Sequence, residues 1–166
     1  MIEAIKKRRA IREYLDEKVS EEKLNAILDS AMYAPSANAK YPWDLVVIRD
    51  EGIREDLSKV SPWALHIKNA PVVIAIVGYE NESKDWVEDC SIVAEHIWLE
   101  AVNQDLGACW VQIRGNENAQ KDVKEILNVP DEYRVLCLMS IGVPAVKEEE
   151  HNPEDFDKSK IKQEKY

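Results

Sequence analysis

Two long apolar runs place the strongest constraint on how this chain can fold. Residues 71–77 read Pro-Val-Val-Ile-Ala-Ile-Val, and residues 135–143 are almost as apolar. A strand with apolar side chains on both faces must be covered on both faces, as strands inside a layered sheet are. The two runs therefore predict buried strands, and we expect residues 71–77 to lie at the centre of the sheet.

Weaker patterns predict the elements around these two runs. Ser20 is a typical N-cap, and its helix should end near Ala34 because Pro35 disfavours the helical conformation in the residue before it. Gly107 is typical of the residue that follows a helix end. Apolar periodicity predicts further helices at 2–9, 53–59, 86–106 and 116–127, and strands at 43–48 and 108–113. Helices and strands mix without strict alternation, so the predicted fold class is α+β.

Composition limits the classes of protein to which this chain can belong. With 166 residues, 45% of them hydrophobic, the chain can build one core, so we expect a single domain over 1–166. A net charge of −10 argues against nucleic acid as a partner, because such binding draws on Lys and Arg at phosphates. Polar residues interrupt the apolar stretch 92–106, and the first twelve residues lack the apolar centre of a signal peptide. We expect a cytoplasmic protein that does not interact with membranes.

Cysteines and histidines give no sign of a disulfide framework or a metal site. Cys90, Cys109 and Cys137 are odd in number and far apart, so we expect them to fill space in the core. The three histidines, at 66, 96 and 151, stand alone without metal-ligand spacing. We therefore expect no metal ion.

A phosphate group would have to be bound by side chains in this protein. Neither of the two common glycine-rich phosphate loops occurs among the five glycines. Arginine suits the task because its planar guanidinium donates two parallel, charge-assisted hydrogen bonds to a phosphate. Basic residues crowd the start of the chain, over residues 6–12, and its end, over residues 158–165.

The segment Lys6 to Tyr14, which reads KKRRAIREY, resembles the opening R-R-S-x-R-x-[FY] of FMN-dependent nitroreductases. The resemblance implies that Arg8, Arg9 and Arg12 bind the flavin phosphate. Ala10 stands where that family has serine, so one hydroxyl contact is missing at this position.

Two further segments resemble the same family. Residues 34–43, APSANAKYPW, are similar to A-P-S-x-x-N-x-Q-P-W, a loop that packs beside the isoalloxazine ring, with Ala39 and Tyr41 replacing the Asn and Gln. The helix from Asp89 that leads into Gly107-Ala108-Cys109-Trp110 is also similar to a helix and its closing motif in that family. The resemblance implies cofactor contacts from Pro35, Ser36, Ala37 and Asn38, and from Val111, Gln112 and Ile113, with a backbone N–H of Gln112 directed at flavin N5.

The end of the chain adds a fourth resemblance. Gly142-Val143-Pro144 is similar to the motif that closes the last strand of that family, and a basic residue in the tail often completes the phosphate site. Lys160 is the first candidate for this role and Lys158 the second. The tail, residues 145–166, has too few apolar residues to fold alone, so it is either disordered or wraps a partner subunit.

The resemblance implies a sandwich in which helices flank a central, mainly antiparallel sheet, within an intertwined homodimer that binds two FMN molecules. The implied activity is that of an FMN-dependent NAD(P)H oxidoreductase with ping-pong kinetics, using NADH or NADPH as donor and a nitroaromatic, quinone or similar conjugated acceptor. No catalytic acid or base is required. Two alternatives remain open, which are a flavoprotein of this fold with another reaction, and a flavin-binding protein without turnover.

Overall fold

The computed structural model describes residues 1–166 and contains five α-helices and four β-strands. They are α1 (Glu3–Lys7), α2 (Glu21–Met32), β1 (Trp43–Ile48), α3 (Glu51–Leu57), β2 (Val72–Gly78), α4 (Trp86–Asn103), β3 (Gly107–Gln112), α5 (Glu117–Leu127) and β4 (Arg134–Gly142). Short 3-10 helices lie at Ala37–Ala39, Pro62–Asn69, Pro153–Asp155 and Lys158–Lys160. Helices and strands are mixed along the chain, which confirms the predicted α+β class.

The four strands form one antiparallel sheet in the order β1-β2-β4-β3. Every residue of β2 is buried, as is every residue of β4 after Arg134. The two apolar runs are therefore the interior strands, as predicted. The edges of the sheet are β1 and β3.

Helices cover both faces of the sheet. Alternate residues of β2 enter two separate cores, because successive side chains of a strand point to opposite faces. Val72, Ile74 and Ile76 pack with α2 and α4 on one face. On the other face, the next residues along β2 pack with α3, α5 and the Pro62–Asn69 helix. This arrangement is the predicted sandwich.

The prediction that Gly107 ends the long helix is wrong. Helix α4 ends at Asn103, the chain turns through Asp105 at φ 59°, and Gly107 is the first residue of β3. A Cβ atom on Gly107 would lie 2.6 Å from the Cβ of Ile11, closer than two carbon atoms can approach. Glycine is needed here because residues 8–12 lie directly against the strand.

Two other predicted elements differ from the structure. Helix α3 begins at Glu51 rather than residue 53, because the Asp50 side chain accepts the Ile53 N–H at 2.9 Å and caps the helix early. Between α3 and β2, where the sequence predicts no helix or strand, residues Pro62–Asn69 form a 3-10 helix. The three cysteines are free and buried, and no helix is both long and apolar enough to cross a membrane.

The contact at Gly107 leads to a prediction about stability. Gly107→Ala should lower the free energy of unfolding by about 1–3 kcal/mol, the usual cost of overpacking, because residues 8–12 must move off β3. Gly52→Ala is the control, since its added Cβ meets only an Asp50 side-chain oxygen at 3.2 Å and should change stability by less than about 1 kcal/mol. Urea denaturation measures both, and equal midpoints for the two variants would contradict the prediction.

Candidate functional site

The basic segment near the start of the chain lies beside the edge strand β3. Ala10 forms a parallel bridge with Ala108, and the Ile11 N–H donates to the Ala108 carbonyl at 3.0 Å. The chain then runs on along the end of β4, where the Leu15 N–H donates to the Val143 carbonyl at 2.9 Å. The fold therefore places two of the sequence motifs, about a hundred residues apart in the chain, side by side.

The three arginines of this segment have different surroundings. The guanidinium of Arg8 lies 4.5 Å from the centre of the Trp98 ring on α4. Arg9 donates from Nε and Nη2 to the carbonyls of Glu149 and Glu150, at 2.8 and 3.2 Å, so these donors already hold the tail. Arg12 is exposed and makes only a long contact, at 3.5 Å, with the Ala10 carbonyl. None of the three guanidinium groups has a carboxylate within 4.0 Å.

Beyond Ala108, the backbone N–H and C=O groups of every second residue of β3 face away from the sheet. Because the Ala108 carbonyl points outward to Ile11, the alternation of an antiparallel strand turns the N–H and C=O of Trp110 and Gln112 outward as well. No strand pairs with this edge. The N–H of Gln112 is thus free to donate to a ligand, whereas Ile113 N–H is bonded to the Leu136 carbonyl at 3.2 Å. Val111 and Ile113 are buried beneath the edge.

The side chains at this end of β3 fix one another. Trp110 Nε1 donates to Gln112 Oε1 at 2.8 Å, and Gln112 Nε2 donates to the Arg114 carbonyl at 2.9 Å. This chain of hydrogen bonds holds the turn that follows the strand. The outward Gln112 N–H therefore lies beside side chains that are held in place.

The loop that follows α2 is anchored by a buried carboxylate. Asp89, only 3% exposed, accepts the Ser36 hydroxyl at 2.9 Å and the Ala37 N–H at 3.0 Å. Ser36 Oγ in turn accepts the Tyr41 N–H at 2.8 Å. Asp89 was not predicted to be a site residue, although the sequence motif that marks the long helix begins with it.

The same loop holds three residues in the left-handed region of backbone space. Asn38, Ala39 and Tyr41 have φ values of 55°, 53° and 50°. Asparagine adopts this conformation more readily than other non-glycine residues, whereas Ala and Tyr pay a steric penalty for it. The loop therefore keeps its shape because Asp89 and Ser36 hold it.

A polar cluster that the sequence does not predict joins Tyr14, His66 and Ser140. The Tyr14 hydroxyl donates to the Ile11 carbonyl at 2.6 Å and contacts Ser140 Oγ at 2.8 Å, and His66 Nε2 contacts the same Oγ at 3.1 Å. Burial, and then the charge of Arg12, lower the pKa of His66 below its usual value. Burial also raises the pKa of Tyr14. The contacts of His66 could not be predicted, because a single histidine without a surrounding motif gives no sequence signal.

The tail contacts the basic segment over its first part and is exposed beyond it. The tail is tied down as far as His151, whose N–H donates to the Lys6 carbonyl at 3.2 Å and whose Nε2 lies 3.0 Å from the Arg8 carbonyl. Beyond it the chain is exposed, with Phe156 at 53% and Ile161 at 70%. Lys158 and Lys160 lie in this exposed part, in a short 3-10 helix.

The loop at residues 35–38 stays apart from the basic segment. Its anchor, Asp89, and the Trp98 ring that contacts Arg8 are about 14 Å apart along the axis of α4. One chain therefore places Arg8, Ala10 and Arg12 beside the start of β3, and Gln112 at the other end of the same strand, about 13 Å from Ala108.

Comparisons with known proteins agree on one family. The model of the nitroreductase family matches residues 5–65 and 61–143. A candidate NADH dehydrogenase/NAD(P)H nitroreductase of Methanothermobacter thermautotrophicus is 34% identical, with 100% of this chain and 87% of that protein aligned.

Solved structures give the same result. An FMN-dependent nitroreductase from Clostridium difficile is similar with a TM-score of 0.97 and 36% identity, over 100% of both chains. An NADPH:FMN oxidoreductase from Vibrio harveyi, solved with NAD+, has a TM-score of 0.85 over 99% of this chain and 77% of that one. At 20% identity it supports the fold alone.

The anchor of the loop gives a second prediction. Asp89→Ala removes two hydrogen bonds to a charged acceptor and should lower the free energy of unfolding by about 1.5–3 kcal/mol. It should also expose residues 35–41 to proteolysis, because their left-handed backbone loses its support. Glu88→Ala, an exposed neighbour on the same helix turn, is the matched control and should change neither quantity. Identical proteolysis of the two variants would show that Asp89 does not hold the loop.

Proposed function

This chain belongs to the nitroreductase family, and from that premise we propose that it is an FMN-dependent NAD(P)H oxidoreductase. Its acceptor is a conjugated small molecule such as a nitroaromatic or a quinone. One observation carries the proposal. Arg8 and Arg12, whose guanidinium groups have no carboxylate partner, lie in a segment that packs beside the edge strand β3, and no strand pairs with the outward Gln112 N–H of β3.

The groups at this edge fit the chemistry of a flavin mononucleotide. A phosphate requires cationic donors, and a guanidinium free of acidic partners supplies them with charge-assisted hydrogen bonds. A flavin ring requires a flat, ordered surface with a donor for its ring nitrogen. The outward Gln112 N–H, held beside the Trp110 and Arg114 hydrogen bonds, meets that requirement.

When bound, FMN supplies hydride acceptance at N5 and the transfer of two electrons to an acceptor. The protein contributes binding and orientation. Arg8 and Arg12 hold the phosphate side, with the Arg8 guanidinium oriented by the Trp98 ring. Gln112 donates its N–H towards the ring, and Val111 and Ile113 fix that strand by their burial. We infer ping-pong kinetics, because donor and acceptor would use the same open edge in turn.

A homodimer explains the positions of the other predicted ligands. The loop with Pro35, Ser36, Ala37 and Asn38 lies away from the basic segment of its own chain, and Lys158 and Lys160 lie in the exposed part of the tail. We infer that these residues serve the site of the partner subunit, with the exposed apolar residues of the tail packing against that subunit. Arg9 serves the site indirectly by holding the tail near residues 149–150. Three free, buried cysteines fit a reducing compartment, and we place the protein in the cytoplasm.

A visible spectrum tests the activity directly. The purified protein is supplemented with FMN, desalted, and treated with NADH or NADPH in the absence of oxygen. We expect a flavin band that survives desalting and bleaches on addition of one of the two donors. A retained band that neither donor bleaches would contradict the reductase and favour a flavin-binding protein without turnover. Loss of the band on desalting would contradict tight cofactor binding.

The role of Arg8 gives a third prediction. Arg8→Ala removes a charge-assisted bond to phosphate and should weaken FMN binding by about 1.5–3 kcal/mol, measured as the quenching of flavin fluorescence. Arg49→Ala removes the same charge from an exposed pair with Glu21 at 2.7 Å and serves as the control. Equal FMN affinity in the two variants would remove Arg8 from the site.

A further inference from the structure

The helix that leads into the proposed phosphate-binding segment has no anchor in the core. Helix α1 has only five residues, Glu3–Lys7, and none of them is buried. Helices shorter than about 12 residues are marginal in water when they stand alone, even in sequences that favour them. The end of α1 therefore has to be held by contacts with other parts of the chain, and Arg8 is the residue that follows it directly.

The tail supplies contacts to that end. The last carbonyl groups of a helix have no hydrogen-bond partner within the helix. Here the His151 N–H donates to the Lys6 carbonyl at 3.2 Å, and His151 Nε2 lies 3.0 Å from the Arg8 carbonyl. Because a carbonyl cannot donate, Nε2 carries the proton of this second hydrogen bond. One tail residue thus binds two carbonyl groups at the end of α1.

The neighbouring residues are held in the same way. The Arg9 guanidinium donates to the carbonyls of Glu149 and Glu150 at 2.8 and 3.2 Å. Trp98 Nε1 donates to the Arg9 carbonyl at 3.2 Å, and the ring of Trp98 lies 4.5 Å from the Arg8 guanidinium. Arg8 is therefore held from two sides, with its carbonyl bonded to the tail and its side chain packed on α4.

The acidic side chains of this part of the tail do not pair with Arg8. Residues 148–150 are all glutamate, but none of their carboxylates lies within 4.0 Å of a Lys or Arg nitrogen. The contacts to Arg9 come from their backbone carbonyls instead. The tail can therefore fix the position of Arg8 and still leave its guanidinium available to an anion.

We propose that His151 is a positioning residue for Arg8, so that docking of tail residues 149–151 and binding of the FMN phosphate reinforce each other. The proposal rests on the proposed function for the identity of the ligand. His151 acts through the Arg8 carbonyl, because fixing the backbone of Arg8 fixes the point from which the guanidinium extends. Such coupling is reciprocal: the factor by which the docked tail raises FMN affinity is the factor by which bound FMN stabilises the docked tail.

Substitution of His151 in the full-length protein tests the positioning role. His151→Ala should weaken FMN binding about two- to tenfold, the change that corresponds to the loss of one hydrogen bond. Riboflavin, which lacks the phosphate, should bind with unchanged affinity, because His151 acts through the residue that binds the phosphate. His151→Gln keeps an N–H donor in place of Nε2 and should restore most of the FMN affinity. Quenching of flavin fluorescence measures both ligands.

A matched control and a double variant separate this role from a general effect on the fold. His96→Ala removes a bond of the same kind, from Nδ1 to the Ser30 carbonyl at 2.9 Å, and should change neither affinity. When Arg8→Ala has removed the guanidinium, His151→Ala should cause little further loss of FMN affinity. Losses that add in the double variant, or an equal loss of riboflavin binding in His151→Ala, would overturn the proposal.

Hydrogen exchange tests the coupling without any substitution. The His151 N–H is bonded to Lys6 only while the tail is docked, so its exchange rate reports how often the tail opens. FMN should slow this exchange, and riboflavin should slow it less. An exchange rate that bound FMN leaves unchanged would overturn the coupling and leave the proposed function standing. A protein that binds no FMN would overturn both.

Discussion

A sheet that is covered on both faces leaves a ligand only its edges. Here β2 and β4 are buried on both sides by helices, so no face of the sheet can hold a flat molecule. At the edge formed by β3, ordered backbone with an outward N–H lies on the same strand against which the basic residues 8–12 pack. Gly107 allows the basic segment to lie against this edge, because any side chain at position 107 would push residues 8–12 away from the strand. The site thus depends on the same close approach that fixes the N-terminal segment.

The second constraint is the strained loop after α2. A left-handed conformation costs a residue other than glycine about 1–2 kcal/mol, and this loop contains three such residues. Hydrogen bonds to the buried carboxylate of Asp89 offset that cost. Because Asp89 lies in the first turn of α4, the positive end of the helix dipole also stabilises its charge. A long core helix therefore supports both parts of the proposed site, the loop at its start and Arg8 against Trp98 further along.

Burial patterns made most of the fold predictable, whereas contacts between distant residues did not show in the sequence. The strand at residues 43–48 has the predicted bounds, because its apolar content and its flanking Pro and Gly are local signals. The role of Gly107 was misread because a helix end and a close approach both require glycine. The Pro62–Asn69 helix could not be predicted from apolar periodicity, because two of its apolar side chains, Trp63 and Leu65, are exposed to solvent. His66 and Asp89 become site residues only through the sheet register and helix packing that bring Ser140 and Ser36 to them.

An acidic protein can still select a small anion, because charge acts locally. Residues 6–12 contain five cations and no acid, although the whole chain carries a net charge of −10. Charges farther apart than the Debye length, about 8 Å at physiological salt, are largely screened from one another. A mononucleotide phosphate at this segment therefore experiences mainly its arginines. A polyanion would extend beyond the segment and meet the acidic surface, so the same charge distribution that attracts a mononucleotide disfavours nucleic acid.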